Sequence, residues 1–513
     1  MRNNIFLSKS KIKQNDQCEK MLWLEINKKS EGVWESSDQA KFTQGRDVEQ
    51  IMREQFPEGK LMDKIANEDK ITQTNKLLLT APVIFEASFV ANNTIIQIDA
   101  LLNNFDGTHD AIEVKSGGAF KPDYLDDTTI QYYIAERSGK VKIRNYYVWH
   151  VNKNATSAKG DDLFTKVDVT LLILGNADKF ESLLQKSLQT AMLKKEPDRK
   201  IGAHCTKPYT CKFWDYCSKS VNQETDSVLN LPYFPNKYQA IEKGIESVNH
   251  PDFDKVFKYS ENNPEIITAI RENRLVINQP GVTADISKWK YPLNFFDFET
   301  LMGAIPLLEG QKPFQQLVFQ HSTHVLQADK TVKHFEFLHG HLGNPEKDAI
   351  ESMLKALDNQ GSIVAYNKSF EMSRIKEMAL QNPNYKDQLT ALLDRFVDLM
   401  DIVKDHVYHP LFKGSYSLKS VSPALLGYEN GGYSDSIIKS GGEISKYYIE
   451  YLTTEDLERK TLLEGALLKY CKYDTTNLVL LMLWLLDQST DITAWVDKTV
   501  MSVETSTHKP EAA

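Results

Sequence analysis

Two sets of acidic residues, each accompanied by a lysine or a tyrosine, are the parts of this sequence whose types and spacing could do chemistry. Asp99 lies in the apolar run IIQIDALL (Ile95–Leu102), where a strand is expected to end, and a polar turn (NNFDGTHD) leads to IEVKSG with Glu113 and Lys115. Strand side chains alternate, so Glu113 and Lys115 should share a face, with Ile112 and Val114 turned to a core. If the strands pair as a hairpin, Asp99 converges on that face. Two carboxylates at one point repel unless a cation lies between them, and hard divalent ions such as Mg²⁺ or Mn²⁺ favour such oxygen ligands. An ammonium beside a metal-bound water orients it and stabilises charge growing on a phosphorus under attack. That is the chemistry of phosphodiester hydrolysis; the alternative is an ordinary Glu–Lys pair on a solvated hairpin.

The second set lies in the C-terminal half. Asp297 and Glu299 share one face of FFDFET, opposite Phe296 and Phe298. An unpaired acidic pair on an apolar strand is costly to bury, and a metal offsets that cost. KYCKYDTTNLVLL places Tyr470 and Asp474 at i and i+4, on one side of a helix. Between them, IVAYNKSFEMSRI reads as strand, loop and helix start, with Asn367 and Glu371 at the junction. Asp398, in RFVDLMDIV, is expected on a helix surface, with support of the acidic site as the alternative. KGSYSLKSV carries Lys413, Ser415 and Lys419, which are phosphate contacts or members of a polar turn.

Cysteines form a third constellation. Cys205, Cys211 and Cys217 lie in HCTKPYTCKFWDYC with five residues between neighbours, and Cys18 lies 186 intervening residues earlier. Clustered thiolates in a cytosolic protein suit a soft metal site, although the two tight Cys-x₂₋₄-Cys pairs of zinc ribbons are absent. The alternative is four unrelated small hydrophobes. Cys471, between apolar helix positions, reads as packing.

These residues need a framework to hold them. The chain has 513 residues, 41% hydrophobic and 26% charged, which excludes a largely disordered protein. At ~100–200 residues per domain, two to four domains are expected. Sixty-one Lys plus Arg against 70 Asp plus Glu, a net charge of −9, argues against a generally basic nucleic-acid binder while allowing a local basic groove. The longest apolar run, Leu478–Leu486, has nine residues against the ~20 of a membrane helix. The N-terminal MRNNIFLSKSKIKQN has no apolar signal region, so a cytoplasmic location is expected.

Strands are expected over Ile95–Leu102, Ala111–Lys115 and Asn145–Val151, with a helix over Leu125–Arg137. Residues 221–290, punctuated by Pro232, Pro235, Pro251, Pro264 and Pro280, read as a connector with short helices. Further strands are expected over Leu293–Phe298, Gln316–Phe319 and Ser362–Ala365, and helices over 371–381, 386–400 and 455–487. The fold class is therefore α/β: a domain over 1–220, a connector over 221–290, a second domain over 291–490, and a polar tail over 491–513.

The first domain's "iD … iE-x-K-s-G" pattern resembles the RecB-like branch of the PD-(D/E)XK nucleases. That resemblance implies a restriction-endonuclease-like sheet with Asp99 and Glu113 as metal ligands and Lys115 as catalytic residue. It places a further ligand, Glu49, on the helix QGRDVEQIM (Gln44–Met52), where many members have His. It also matches Gln131 and Tyr133 to a Gln-Tyr helix approaching nucleic acid. The distant Cys18 with the Cys205, Cys211 and Cys217 trio resembles this branch's iron–sulfur variant, implying a 4Fe-4S cluster that ties the first helix to the last segment of the domain. The second acidic set resembles the tyrosine (DEDDy) form of the DnaQ-like 3′–5′ exonucleases, with a ribonuclease-H-like fold. Asp297, Glu299, Glu371 and Asp474 then hold two Mg²⁺ or Mn²⁺ ions ~3.5–4 Å apart, and Tyr470 orients the attacking water. Glu371 stands where that family usually has Asp. Asn367 and Lys419 are its implied nucleic-acid contacts. The whole arrangement resembles a bacterial family classed as a domain of unknown function.

The expected activity is metal-dependent hydrolysis of nucleic acid, DNA first and RNA open, at two centres. A nucleic-acid-binding scaffold with inactive centres and an iron–sulfur redox sensor are the alternatives.

Overall fold

The computed structural model describes residues 6–34, 36–62, 66–308, 310–427, 437–438 and 441–501. It shows the expected α/β class, with two mixed sheets of seven and five strands, neither closed into a barrel. The chain divides into two compact units, Met1–Lys219 with Gly303–Gln315, and Ser220–Met302 with Gln316–Ala513. The stretch 221–290 thus belongs to the second unit. Among the described residues, no helix is long and apolar enough to cross a membrane.

In the first unit the strands are β1 (Leu7–Ser8), β2 (Lys60–Leu61), β3 (Val83–Ala91), β4 (Thr94–Asn103), β5 (His109–Lys115), β6 (Ile143–Val151) and β7 (Phe164–Asp168). They run in the order β2-β3-β4-β5-β6-β7, with β1 parallel to the start of β4. Asp99 lies inside β4, because the strand continues to Asn103 through pairing with both neighbours. β3 escapes a periodicity reading because it is buried on both faces and shows a near-continuous apolar run.

One irregularity decides what β3 and β4 present. Val83 and Phe85 pack with Val48 and Met52, whereas Ile84, Ala87 and Phe89 belong to the other apolar layer. Alternation therefore slips by one at Glu86, which has φ +57°. On β4 it slips at Asp99: Ile96 and Ile98 lie in one layer, Ala100 in the other. The register passes from Phe85–Ala100 to Ala87–Ile98, leaving Glu86 opposite Asp99 without a ladder pair. A left-handed φ is unfavourable for a residue with a Cβ, and the surrounding sheet holds it there.

The second sheet has the order β11-β10-β9-β12-β13. Its strands are β9 (Leu293–Leu301), β10 (Leu317–Leu326), β11 (Val332–Leu338), β12 (Ser362–Ala365) and β13 (Phe396–Asp398). A separate antiparallel pair joins β8 (Val276–Ile277) to β14 (Val407–Tyr408). Phe296 and Phe298 of β9 pack with Ile350, Met353, Ile375 and Met378 on one face. On β9 and β10 also lies the long helix Leu457–Leu486.

The helix expected over 386–400 is broken into Lys386–Leu393, β13 and a new helix, Leu399–His406. Arg395 ties the carbonyls of Leu357, Asp358 and Gly361 at 2.7–2.8 Å, and Phe396 pairs with Ile363. Sheet pairing thus overrides local helix propensity. Within the expected tail, Ile492–Met501 is helical, and 502–513 lie outside the described residues.

Gly361 enters β12 with φ +74°, and a Cβ there would stand 1.8 Å from Pro292 O. Backbone cannot give way as a side chain can. Gly361→Ala should therefore destabilise the second unit by more than ~2 kcal/mol, read as a lowered urea midpoint.

Candidate functional site

In the first unit the β4–β5 pairing brings Asp99 and Glu113 together, and the Val114 amide donates to Asp99 Oδ2 at 2.6 Å. Glu113 is 2% exposed, so this face is interior and not the solvated hairpin of the alternative. Its Oε1 accepts from Lys9 at 2.6 Å and Lys115 at 2.7 Å, and its Oε2 from Gln131 at 2.7 Å. Burial alone would raise its pKa, but Lys115 and Lys9 outweigh that and hold the carboxyl below the usual range. Lys115 also donates to Asp127, which Lys13 meets at 2.7 Å. Despite burial, Glu113 and Asp127 raise the Lys115 pKa, so this side chain stays an ammonium.

The closest carboxylate set is a different one. Oxygens of Glu49, Glu86 and Asp99 lie within 4.8 Å of one another. Arg53 pairs with Glu49 and stands 3.6 Å from Glu86. Burial, then the hydrogen bond and charge of Glu49, push Glu86 up to about 8. Asp99 is raised well above its ordinary value by burial and by Glu113. Glu113 therefore stands beside this set, its oxygens engaged by cations and an amide. A Cβ at Gly117, just past Lys115, would crowd the Tyr124 hydroxyl, so a side chain there would require that ring to move.

Of the two expected nucleic-acid contacts on the Gln-Tyr helix, one is interior and the other half-buried. Gln131 is fully buried, donates to Gln97 O at 2.6 Å as well as to Glu113, and accepts from Tyr146 Oη at 3.0 Å. It positions Glu113, because the interior leaves its amide no route to solvent. Tyr133 is half-buried, stacked on Phe180 with ring centroids 5.1 Å apart, and packs against the first unit's core.

In the second unit, ligand oxygens of Asp297, Glu299 and Asp474 lie within 4.8 Å of one another, at a cleft of about 240 Å³ also lined by Phe298, Tyr366, Phe370, Leu418 and Leu478. The rotation of helix Leu457–Leu486 is set by a buried polar seam with β10. Thr475 Oγ1 meets Ser322 Oγ at 2.7 Å and His324 Nδ1 at 2.8 Å, and Gln320 donates to Leu467 O at 2.7 Å. Asp297 is pushed well up by burial, then by Asp474 and Glu299, and Glu299 by burial and Asp474.

Tyr470 Oη accepts from Lys419 Nζ at 2.8 Å. Burial, Asp474 and Glu299 raise the phenol, so it stays protonated. Lys419 is thus engaged with Tyr470 within the site. Cys471, expected as packing, sits with Sγ 3.7 Å from both Asp297 O and Oδ2.

Glu371 does not join the carboxylate set. It is 4% exposed, its Oε2 has no hydrogen-bond partner, and burial pushes it up to about 8. Asn367 is exposed, with φ +69°. Asp398 is buried rather than on a helix surface. It caps Leu399–His406 through the Met400 amide and accepts from the Asn367 and Lys368 amides at 2.9 Å, because it ends a strand.

Cys18, Cys205, Cys211 and Cys217 line one cavity in the first unit, and none is in a disulfide. Burial and the neighbouring thiols push Cys211 and Cys217 up to about 11. Among the described residues, no three of these sulfurs fall within 4.8 Å of one another. A single tetrahedral zinc, with Zn–S ~2.3 Å, would hold its thiolates ~3.8 Å apart.

Lys9, Lys13, Arg53, Glu86, Asp127 and the thiol of Cys471 were not singled out by pattern. Glu86 had a signal, the lone acid in PVIFEASFV. Asp127 stands at i−4 from Gln131 on one helix. Lys9 had none, since only tertiary contact brings it to Glu113.

A family model described as a domain of unknown function (DUF2779) matches residues 294–417, which include Asp297, Glu299, Asn367 and Glu371. The chain is 28% identical over 176 residues to uncharacterized protein UU173 of Ureaplasma parvum, covering 32% of this chain and 25% of that protein. It is 30% identical over 143 residues to the uncharacterized MG366 homolog of Mycoplasma pneumoniae, covering 26% and 22%. Against uncharacterized protein MG366 of Mycoplasma genitalium it is 26% identical over 219 residues, covering 39% and 33%. Each match spans no more than 33% of the relative's length.

Glu371 makes stability pH-dependent in metal-free protein. Its unfolded carboxyl is ionised at pH 7, while the folded one, near 8, still holds a proton. The native state therefore binds more protons, and stability falls as pH rises through 8. Urea unfolding in chelator should show a loss between pH 7 and 9 that is roughly 1 kcal/mol smaller in Glu371→Gln.

Proposed function

We propose that this protein is a metal-dependent nuclease with two phosphodiester-hydrolysing centres, one in each unit, with DNA as the first expected substrate. The observation that carries the reading is the meeting of Asp297, Glu299 and Asp474 at an open cleft, from a sheet strand and a distant helix. Their mutual repulsion disappears when divalent cations bind, and three oxygen donors suit Mg²⁺ or Mn²⁺. The likeness of both motif sets to RecB-like and DnaQ-like nucleases supports the same reading.

In the second unit Asp297, Glu299 and Asp474 would hold the metal, which when bound activates water and neutralises phosphate charge. Tyr470 is a donor rather than a base: Lys419 donates to its oxygen, and the phenolic proton would orient water or a phosphate oxygen. The Cys471 thiol donates toward Asp297 and restrains that carboxylate. In the first unit Glu49, Glu86 and Asp99 would hold the metal. Lys115, kept cationic by Glu113 and Asp127, supplies positive charge for the phosphate. The four cysteines fit a 4Fe-4S cluster, whose thiolates stand farther apart than those of a single ion, and which would close the long loop from Cys18 to Cys205.

A nucleic-acid-binding scaffold is the second reading. It is favoured by Glu371 standing outside its carboxylate set and by the full engagement of Glu113.

End-labelled DNA and RNA incubated with Mg²⁺ or Mn²⁺ separate the two readings. Asp297→Asn and Lys115→Ala should each lower one separable part of the cleavage by at least about 100-fold. Cleavage unchanged in both variants, or binding with no turnover in the parent, defeats the nuclease. Separately, anaerobically prepared protein should be brown and contain iron and sulfide, and Cys211→Ser should lose the colour and selectively destabilise the first unit. Stoichiometric zinc without iron would replace the cluster assignment.

A further inference from the structure

Away from both carboxylate sets, three metal-ligating side chains of the second unit converge where β11 ends. His339 directly follows β11, and its amide donates to Phe319 O at 2.9 Å, which fixes its position on the edge of β10. His341 follows two residues later, in a turn where the Gly343 amide donates back to His341 O at 3.0 Å. Asp348 lies in the first turn of the helix Glu346–Leu357. One ring nitrogen of each histidine and one oxygen of Asp348 lie within 4.8 Å of one another.

Burial and an unpartnered nitrogen favour coordination by His339. His339 is 2% exposed, and its Nε2 is buried with no hydrogen-bond partner. An unmet polar atom in the interior is destabilising unless something else satisfies the ring. Its Nδ1 stands 3.4 Å from Asp348 Oδ2, which leaves Nε2 as the nitrogen without a partner. The two imidazoles have ring centroids 4.0 Å apart and planes tilted by 58°, so they converge without stacking flat. His341 is exposed and the Asp348 side chain is 46% exposed, which leaves an outer side open to water.

We propose that His339, His341 and Asp348 form a further metal site that binds a zinc-class divalent ion. Two imidazoles and one carboxylate suit a borderline ion such as Zn²⁺ or Co²⁺, in contrast to the all-oxygen sets that suit Mg²⁺. Three protein ligands leave a coordination position for water. The bound ion links the end of β11 to the first turn of helix Glu346–Leu357, and so braces a sheet edge that the Asp297 centre does not use.

Zn²⁺ titration of the full-length protein tests this, with its cysteine site as isolated and with excess Mg²⁺ to occupy the oxygen sites. The parent should take up one more zinc equivalent than His341→Ala, or bind that equivalent at least ten-fold more tightly, and Asp348→Asn should weaken the same step. Both substitutions lie at accessible side chains. Co²⁺ in place of Zn²⁺ should give visible d–d absorption, without thiolate charge transfer, in the parent and not in His341→Ala. Zn²⁺ should raise the unfolding midpoint of the parent only. Equal zinc uptake and affinity in the parent and His341→Ala would overturn the site, whatever the outcome of the cleavage assays.

Discussion

Like charges gathered in half-buried space are the constraint from which the rest of this molecule follows. A carboxylate taken out of water is penalised once for desolvation and again for each neighbour of the same sign. Glu113 escapes both, because two ammonium groups and an amide occupy its oxygens. Among the described residues, Asp297 and Glu299 have no comparable set of cations, Lys419 acting on Glu299 alone, and both are pushed toward the protonated form. A divalent cation relieves that strain more completely than protonation does, since it serves several oxygens at once.

The scaffolds hold these groups against their own repulsion. In the first unit, the interrupted alternation at Glu86 and Asp99 withdraws two acids from the apolar layers while the β3–β4 register continues on either side. In the second, Phe296 and Phe298 anchor β9 on one face, and the seam of Ser322, His324 and Thr475 fixes the helix on the other. Rotating that helix would break a fully buried polar network, and Asp474 would leave β9 with it. Packing and polar satisfaction thus do the positioning that catalysis of any kind requires.

Much of this was legible in the amino-acid order. Short runs of apolar, β-branched and aromatic residues revealed β4, β5, β6 and β12, and the i, i+4 spacing of Tyr470 and Asp474 put both on one long helix. Partner choice was harder. Gln131 looked like a surface residue and is interior, because its helix turns that side onto Glu113 and Tyr146. The helix expected over 386–400 gave way to β13, since Arg395 and Ile363 offered the segment better hydrogen bonds as a strand.

The sequence by itself determined which residue types could act and which local elements would carry them, because alternation and helical spacing are properties of neighbours along the chain. Only the tertiary structure decided that Glu86 rather than Glu113 closes the carboxylate set with Glu49 and Asp99, that Lys9 reaches Glu113 from 104 residues away, and that Glu371 stays outside its centre. Those outcomes depend on distances between remote segments, which are set by the packing of whole sheets and helices and leave no trace in local spacing.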